Sequence, residues 1–341
     1  MRAVLVYTSD KGRRFQIEEM PTPTPRPDQL LVRVEATSIN FADLSHGIGR
    51  PPPANEPFVP GLDLAGTVEA VGPEVTGWKE GDPVMALASR GAYAEFAPAR
   101  PVLACRPPKG MSMQEAASIP CVFLTAWYGL TKFAGTKSGD TVLIQAGGSG
   151  VGVAGIQIAR ALGARVLTSA GSDAKLAKAK ELGAEAGVNY STQDLTQELL
   201  RLTGGRGVDV VLDPVGGAIF DATLPALATG GCVVTAGGTA GARSDFDQAA
   251  LDARSQGVQQ MGVFNDAAAD TEQRGWTQLK AWFEDGRLRP VVDRVLPWTQ
   301  VEAAQRRRWS PVARPSLPAG PTGCGGPSGL LRRPGLYWRK W

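Results

Sequence analysis

The stretch TVLIQAGGSGVGVAGIQIARALG, residues 141–163, constrains the fold more than any other part of the chain. A short β-favouring run ends in a cluster of glycines, and the glycines open at once into a helical pattern. A G-x-G-x-x-G read literally begins at Gly150, but that register would carry the strand through Ala146-Gly147-Gly148-Ser149, which is poor strand material. Ending the strand at Ala146 instead puts Gly147, Ser149 and Gly152 at the three fingerprint positions. In that register Gly147 makes the turn, small Ser149 admits a pyrophosphate, and Gly152 lets the helix pack close to the sheet. The phosphates then rest on the first helical amides, Gly150 and Val151 among them, at the positive end of the helix dipole. Val151, Ile156, Ile158, Ala159 and Leu162 fall at spacings that bury a helix against a sheet. Strand, loop and helix together predict a dinucleotide site on an α/β sheet.

The second strand predicts which dinucleotide. An NAD site places a carboxylate at that strand's end, about 20 residues after the loop. Here the strand closes as LTSAGS, with Ala170, Gly171 and Ser172 and no carboxylate. Asp173 is expected to open the next helix. Lys175, one turn further, can meet a 2′-phosphate as a point charge. The pattern favours NADP(H), with Ser172 and Lys175 in its site.

The remaining chain divides by its grammar. Residues 1–110 alternate Val/Leu/Ile-rich runs (MRAVLVY, LLVRVEATSI, DLAGTVEAVG, PVMALA) with Pro/Gly turns, which predicts a barrel-like all-β unit. From residue 112 a helical pattern broken at Pro120 leads into strands and helices in alternation, the mark of a doubly wound parallel sheet. After VQQMGVF, 258–264, a helix over 271–285, a strand over 288–295 and a helix over 298–306 are expected, and these can return to the first unit.

Composition narrows the function classes. The chain has 341 residues, 43 % hydrophobic and 20 % charged, the balance of a globular protein of two domains. Neither a signal peptide nor a membrane span is expected, and a cytoplasmic location follows from the cysteines. Cys105, Cys121, Cys232 and Cys324 form no C-x-x-C pair, which argues against a zinc site or a disulfide framework. Of the net charge of +3, residues 307–341 carry +7, so the body is mildly acidic at −4 and no broad nucleic-acid footprint is indicated.

Seven motifs in order give the chain a family resemblance: SINFADL (38–44), VPGLDLAGTVEAVG (59–72), WKEGDPV (78–84), GAYAEF (91–96), LTAWYGL (124–130), AGGSGVG (146–152) and VDVVLDPVGG (208–217). Over about residues 1–306 the chain resembles the medium-chain dehydrogenase/reductase superfamily, most of all its zinc-free quinone oxidoreductase branch. The resemblance implies a GroES-like catalytic domain, residues 1–118 completed by about 265–306, around a Rossmann domain, residues 119–264. NADPH would bind in the cleft between them. Zinc-dependent relatives carry Cys where Asn40 stands and His-Glu where Leu62-Asp63 stand, so no metal is expected.

The acceptor must then already be electron-poor, a quinone or the β-carbon of an α,β-unsaturated carbonyl, and positioning and water exclusion do most of the work. The resemblance places Asn40 near nicotinamide and acceptor, with Asp43 orienting it and Asp63 holding the adjacent loop. It places Thr125 by the nicotinamide, Tyr190 by the 2′-phosphoribose, Gly238 at the sheet mouth, and Val263 and Phe264 at the nicotinamide amide. It also implies a homodimer, paired through the strand near 258–264. His46 can donate a proton to the reduced acceptor or can be a surface residue of its loop; the surface reading is preferred. Two other readings stay open: an enoyl reductase acting on thioester-linked substrates, and a non-catalytic NADPH-binding sensor or nucleic-acid binder.

Residues 307–341 depart from the family pattern. They hold six Pro, six Gly and three Trp, and no strand is predicted there, although relatives end in one. A disordered basic arm or a shifted reading frame accounts for such a segment. The abrupt change after VEAAQR favours the second.

Overall fold

The computed structural model describes residues 1–9, 12–43, 56–88, 90–239, 246–309 and 335–338. The middle of the chain forms a six-stranded parallel sheet. Its strands are β1 (Thr141–Ile144), β2 (Arg165–Ala170), β3 (Ala186–Asn189), β4 (Val208–Asp213), β5 (Leu227–Thr235) and β6 (Gly257–Gln260). Their spatial order is 3-2-1-4-5-6, that of a doubly wound dinucleotide-binding sheet. All four residues of β1 are buried, because parallel strands are covered on both faces. The chain order reverses between β1 and β4, so a crevice opens beyond their carboxyl ends.

Before the sheet lies the β unit. Strands Arg2–Ser9 and Gly12–Glu19 form an antiparallel hairpin. The long strand Leu30–Ile39 is the hub of a second sheet, pairing with Asp63–Val71 and Phe96–Ala99. Residues 36–39 of that hub pair in parallel with Gly335–Trp338, which in turn pairs with Arg294–Pro297. Both chain ends therefore build this unit. The strand at Gly335–Trp338 corrects the expectation of no strand in the tail. Leu336, Tyr337 and Trp338 favour strand, but what fixes them is the gap between two strands about 255 residues apart in sequence, which local pattern cannot reveal. The preceding helix also runs on to Trp309.

Other elements fall near their predicted places. The helical stretch breaks at Pro120 into Met113–Ala116 and Pro120–Tyr128, with a π-helical turn at Gly129–Phe133. The helix predicted over 271–285 spans Arg274–Glu284. The strand expected over 258–264 ends at Gln260, and Val263 and Phe264 begin a helix, Val263–Ala269. Helix Pro120–Tyr128 joins the two units. One apolar core runs from Leu62, Met85 and Leu87 of the β unit through Phe123 and Leu124 to Ile144 and Ile156 of the parallel sheet. Phe123 meets Phe283 edge to face with centroids 4.9 Å apart. No helix among the described residues is long and apolar enough to cross a membrane.

Candidate active site

At the carboxyl end of β1 the chain bends at Ala146, whose φ of 51° is left-handed. Gly147 follows, its N–H donating to the Ser169 carbonyl at 2.9 Å. The first helix of the parallel-sheet domain, α1, spans Gly150–Ala161 with Ser149 as its N-cap. The Ser149 hydroxyl accepts from the Gly152 N–H at 3.0 Å. The literal G-x-G-x-x-G thus begins inside the helix, and the register Gly147–Ser149–Gly152 describes the turn. Gly152 is required by close approach: a Cβ there would lie 2.1 Å from the Ala146 carbonyl oxygen. Gly147 is held as tightly, 2.3 Å from the Thr168 hydroxyl by the same measure.

The loop forms one wall of a cleft of about 700 Å³ between the two units. Ser149, Gly150 and Val151 line it, with Gly171, Lys175 and Tyr190 at one end. Lys175 lies on helix α2 (Asp173–Glu181), its aliphatic stem against Gly148. The Tyr190 ring lies across Gly171, and burial pushes its phenol pKa up, so the hydroxyl stays a donor. Asp173 turns away: its carboxylate accepts from Asn189 Nδ2 at 2.8 Å. That end of the cleft therefore presents a lysine and a phenol, which fits a phosphate.

Ser38, Ile39, Asn40, Phe41, Cys121, Val122, Thr125, Met261 and Val263 line other parts of the cleft, and Pro214, Gly238 and Thr239 lie at the sheet mouth. Beneath Asn40 is a buried polar cluster. Asn40 Nδ2 donates to Asp63 Oδ2 at 2.7 Å and to Ser38 Oγ at 3.0 Å. The Ser38 hydroxyl donates to the same Asp63 oxygen at 2.5 Å. Asp63 Oδ1 accepts from the Cys121 N–H at 2.7 Å. That last bond replaces a missing cap: helix Pro120–Tyr128 begins after Ile119, whose side chain cannot accept, and Asp63 supplies the acceptor from the other unit. Asp43 accepts from the Asn40 N–H at 2.5 Å, the Leu62 N–H at 3.1 Å and the Tyr93 hydroxyl at 2.7 Å.

Of the residues expected in the site, Asn40, Thr125, Ser149, Gly150, Val151, Lys175, Tyr190, Gly238 and Val263 line the cleft together. Asp43 and Asp63 stand behind the wall, both buried, and hold its loops. Gly147 and Gly152 are packing positions of the loop. Ser172 stands at the N-cap position of α2 without a side-chain cap bond and without lining the cleft, and Phe264 packs in the shared apolar core. The Thr125 hydroxyl donates to the Cys121 carbonyl at 2.6 Å, so it meets a ligand as an acceptor in that rotamer. His46 and Cys324 lie outside the described residues.

Sequence reading missed Ser38 and Cys121. Ser38 carried a signal, because it stands two residues before Asn40 at the end of a strand and so shares its face. Cys121 carried none, since its place in the cleft depends on how the helix docks.

Residues 26–119 match the alcohol dehydrogenase GroES-like domain, and residues 150–278 match the family described as zinc-binding dehydrogenase. The chain is 33 % identical to quinone oxidoreductase-like protein 2 of Bos taurus over 299 residues, 86 % of this chain and 85 % of that protein. It is 41 % identical over 249 residues, 69 % of the chain, to phthioceranic/hydroxyphthioceranic acid synthase of Mycobacterium tuberculosis, and spans 12 % of that protein's length. Its structure is similar to that of mycobacterial Rv1454c complexed with NADPH, with a TM-score of 0.82 and 30 % identity, covering 99 % of this chain and all of the other. The chain belongs to the medium-chain dehydrogenase/reductase superfamily, whose members are NAD(P)-dependent oxidoreductases.

The zinc in one family description can be tested against the donor set. Leu62 is apolar and buried, Asn40 turns its Nδ2 toward Asp63 and Ser38, and both oxygens of Asp63 already accept hydrogen bonds. Among the described residues no three His, Cys, Asp or Glu side chains converge. These residues do not fit a tetrahedral zinc site.

Proposed function

We propose that this chain is an NADPH-dependent, zinc-independent reductase that delivers hydride to a quinone or to the β-carbon of an α,β-unsaturated carbonyl. The cleft carries the reading: a glycine loop and helix N-terminus beside Lys175 and Tyr190, continuous with walls formed by Asn40, Val122, Met261 and Val263. The loop fits a pyrophosphate, and Gly148 with its neighbours leaves room where a Cβ would press on the Lys175 stem. Lys175 and Tyr190 would hold a 2′-phosphate, and Thr125 and Val263 would border the nicotinamide. Bound there, NADPH supplies the hydride. Ile39, Val122, Met261 and Val263 keep water from the reacting carbon. Asn40 orients the acceptor, held in place by Asp63 and Asp43. One proton per turnover comes from solvent, giving a quinol or a saturated carbonyl.

The cluster around Asn40 supports an acceptor that needs no Lewis acid. Both Asp63 oxygens are taken up by Ser38, Asn40 and Cys121, so this wall offers no metal-ligand set to polarise a simple ketone. The 41 % identity to a segment of phthioceranic/hydroxyphthioceranic acid synthase favours a second reading, reduction of enoyl thioesters. A homodimer paired along the outer strand β6 belongs to the same proposal, as does the division into residues 1–118 with 265–306 and residues 119–264.

Oxidation of NADPH, followed at its absorbance band with quinones, alkenals and enoyl thioesters, tests the reading, with NADH run in parallel. Turnover of quinones or alkenals with NADPH preferred is the expected result. Turnover of thioesters alone moves the assignment to the second reading. Binding without turnover of any acceptor overturns both and leaves a non-catalytic NADPH-binding protein.

A further inference from the structure

Behind the cleft a chain of hydrogen bonds reaches a helix far along the sequence. Gln305, on helix Val301–Trp309, donates from Nε2 to the Tyr93 hydroxyl at 3.0 Å. Tyr93 donates to Asp43 Oδ2 at 2.7 Å, and Asp43 accepts the backbone N–H of Asn40 at 2.5 Å and of Leu62 at 3.1 Å. Gln305, Tyr93 and Asp43 are 1 %, 1 % and 2 % exposed, so water does not compete for these bonds.

Two details give the chain a direction. A carboxylate only accepts, so Tyr93 must aim its proton at Asp43, and the Gln305 N–H enforces that choice by occupying the phenol's lone pair. The Tyr93 ring is itself fixed, because Gly61, with a φ of +103°, lets it approach to where a Cβ would stand 2.5 Å from Cδ1. Gln305 is also a costly stabiliser. Its Oε1 is buried with no hydrogen-bond partner among the described residues, a penalty that an apolar side chain of the same reach would avoid. What the glutamine supplies is its N–H.

We infer that Gln305 is a positioning residue which, through Tyr93 and Asp43, sets the loop that carries Asn40. Its kinetic consequence rests on the function proposed above; its structural consequence does not. The test uses the full chain with Gln305→Leu, Tyr93→Phe and the double variant, and Gln305→Met where the branched side chain clashes. Gln305→Leu should lower kcat/KM for the acceptor about three- to tenfold, the loss of one hydrogen bond. NADPH affinity and Tm should hold or rise, and amide exchange over residues 38–43 and 60–64 should quicken. In the Tyr93→Phe background the same change should have no further effect, because the connection is already cut.

Unchanged kinetics and exchange overturn the inference. So does a fall in Tm and NADPH affinity in step with activity, which marks plain structural damage, or full additivity with Tyr93→Phe. If the wild type reduces no acceptor, the functional reading fails, and exchange over 38–43 and 60–64 still decides the relay.

Discussion

Gly152→Ala should damage both stability and NADPH binding, against the ordinary helix rule. In a helix interior, Gly to Ala usually stabilises by roughly 0.5–1 kcal/mol. At Gly152 the new Cβ would sit 2.1 Å from the Ala146 oxygen, 2.8 Å from its carbonyl carbon and 2.9 Å from Gly147 Cα. All three are backbone atoms, and an ordinary carbon–oxygen contact is about 3.3 Å or longer, so α1 must back away by about an ångström. Two bonds are then at risk. The Ser149 cap on the Gly152 N–H is worth about 1 kcal/mol, and the Ser149 N–H bond to the Ala146 carbonyl, 2.7 Å long, is worth about as much. With overpacking strain of about 1–3 kcal/mol, the net loss after the propensity gain is about 2–4 kcal/mol. The displaced amides should raise the NADPH Kd about tenfold or more, since a misplacement of that size defeats fixed hydrogen-bond geometry. Gly155→Ala is the control. The three atoms nearest its Cβ belong to the side chains of Leu212 and Ile144, at 3.1–3.2 Å, and these can give. Thermal unfolding and fluorescence titration with NADPH read both effects. A Gly152→Ala protein matching Gly155→Ala in Tm and Kd would refute the register of the loop.

Three further outcomes are expected. Lys175→Ala should weaken NADPH about tenfold while leaving NADH unchanged, in parallel titrations at low salt, because only the 2′-phosphate distinguishes them. Equal effects on both cofactors would place the lysine elsewhere. Burial holds the Asp213 carboxyl above its ordinary value of 3.8, in spite of N–H bonds from Val215 at 2.7 Å and Gly216 at 3.0 Å. The folded state therefore binds the proton more tightly than the unfolded chain. Ionised Asp213 costs stability in full above its folded pKa and nothing below the unfolded one. Asp213→Asn should raise Tm at pH 8, with the gain shrinking toward pH 4; a lower Tm at pH 8 contradicts this. Truncation after Trp309 removes the strand Gly335–Trp338, unpairing residues 36–39 and 294–297. A lower Tm and faster exchange over 36–40 are expected, and an unchanged Tm would mean that the strand contributes nothing.

The loop register was readable because its determinants are local. Strand propensity ends at Ala146, Ser149 is a good N-cap, and all the signals lie within a dozen residues. The absence of a carboxylate after β2 is equally local, and Lys175 needed only helical spacing to reach the loop. The buried cluster was not readable in the same way. Asn40 and Asp63 stand 23 residues apart and Asp63 and Cys121 58 apart, and nothing in their neighbourhoods announces that they meet. The resemblance gives Asp43 an orienting part and Asp63 a loop-holding part, and the fold puts both behind the wall through partners no local pattern announces. Val263 and Phe264 are adjacent in sequence and both pack in the apolar core, yet only Val263 also reaches the cleft, and a helix starts there where a strand was expected.

By itself, then, the sequence determined the doubly wound sheet, the phosphate loop and the type of side chain beside it, all consequences of short-range propensity and periodicity. Tertiary structure alone decided which polar groups are spent on one another, how Gln305 reaches Tyr93 across 212 residues, and that Gly335–Trp338 fills a gap in the β unit. Hydrogen bonds and strand pairings between distant segments depend on where the whole chain has carried its backbone, which no local pattern encodes.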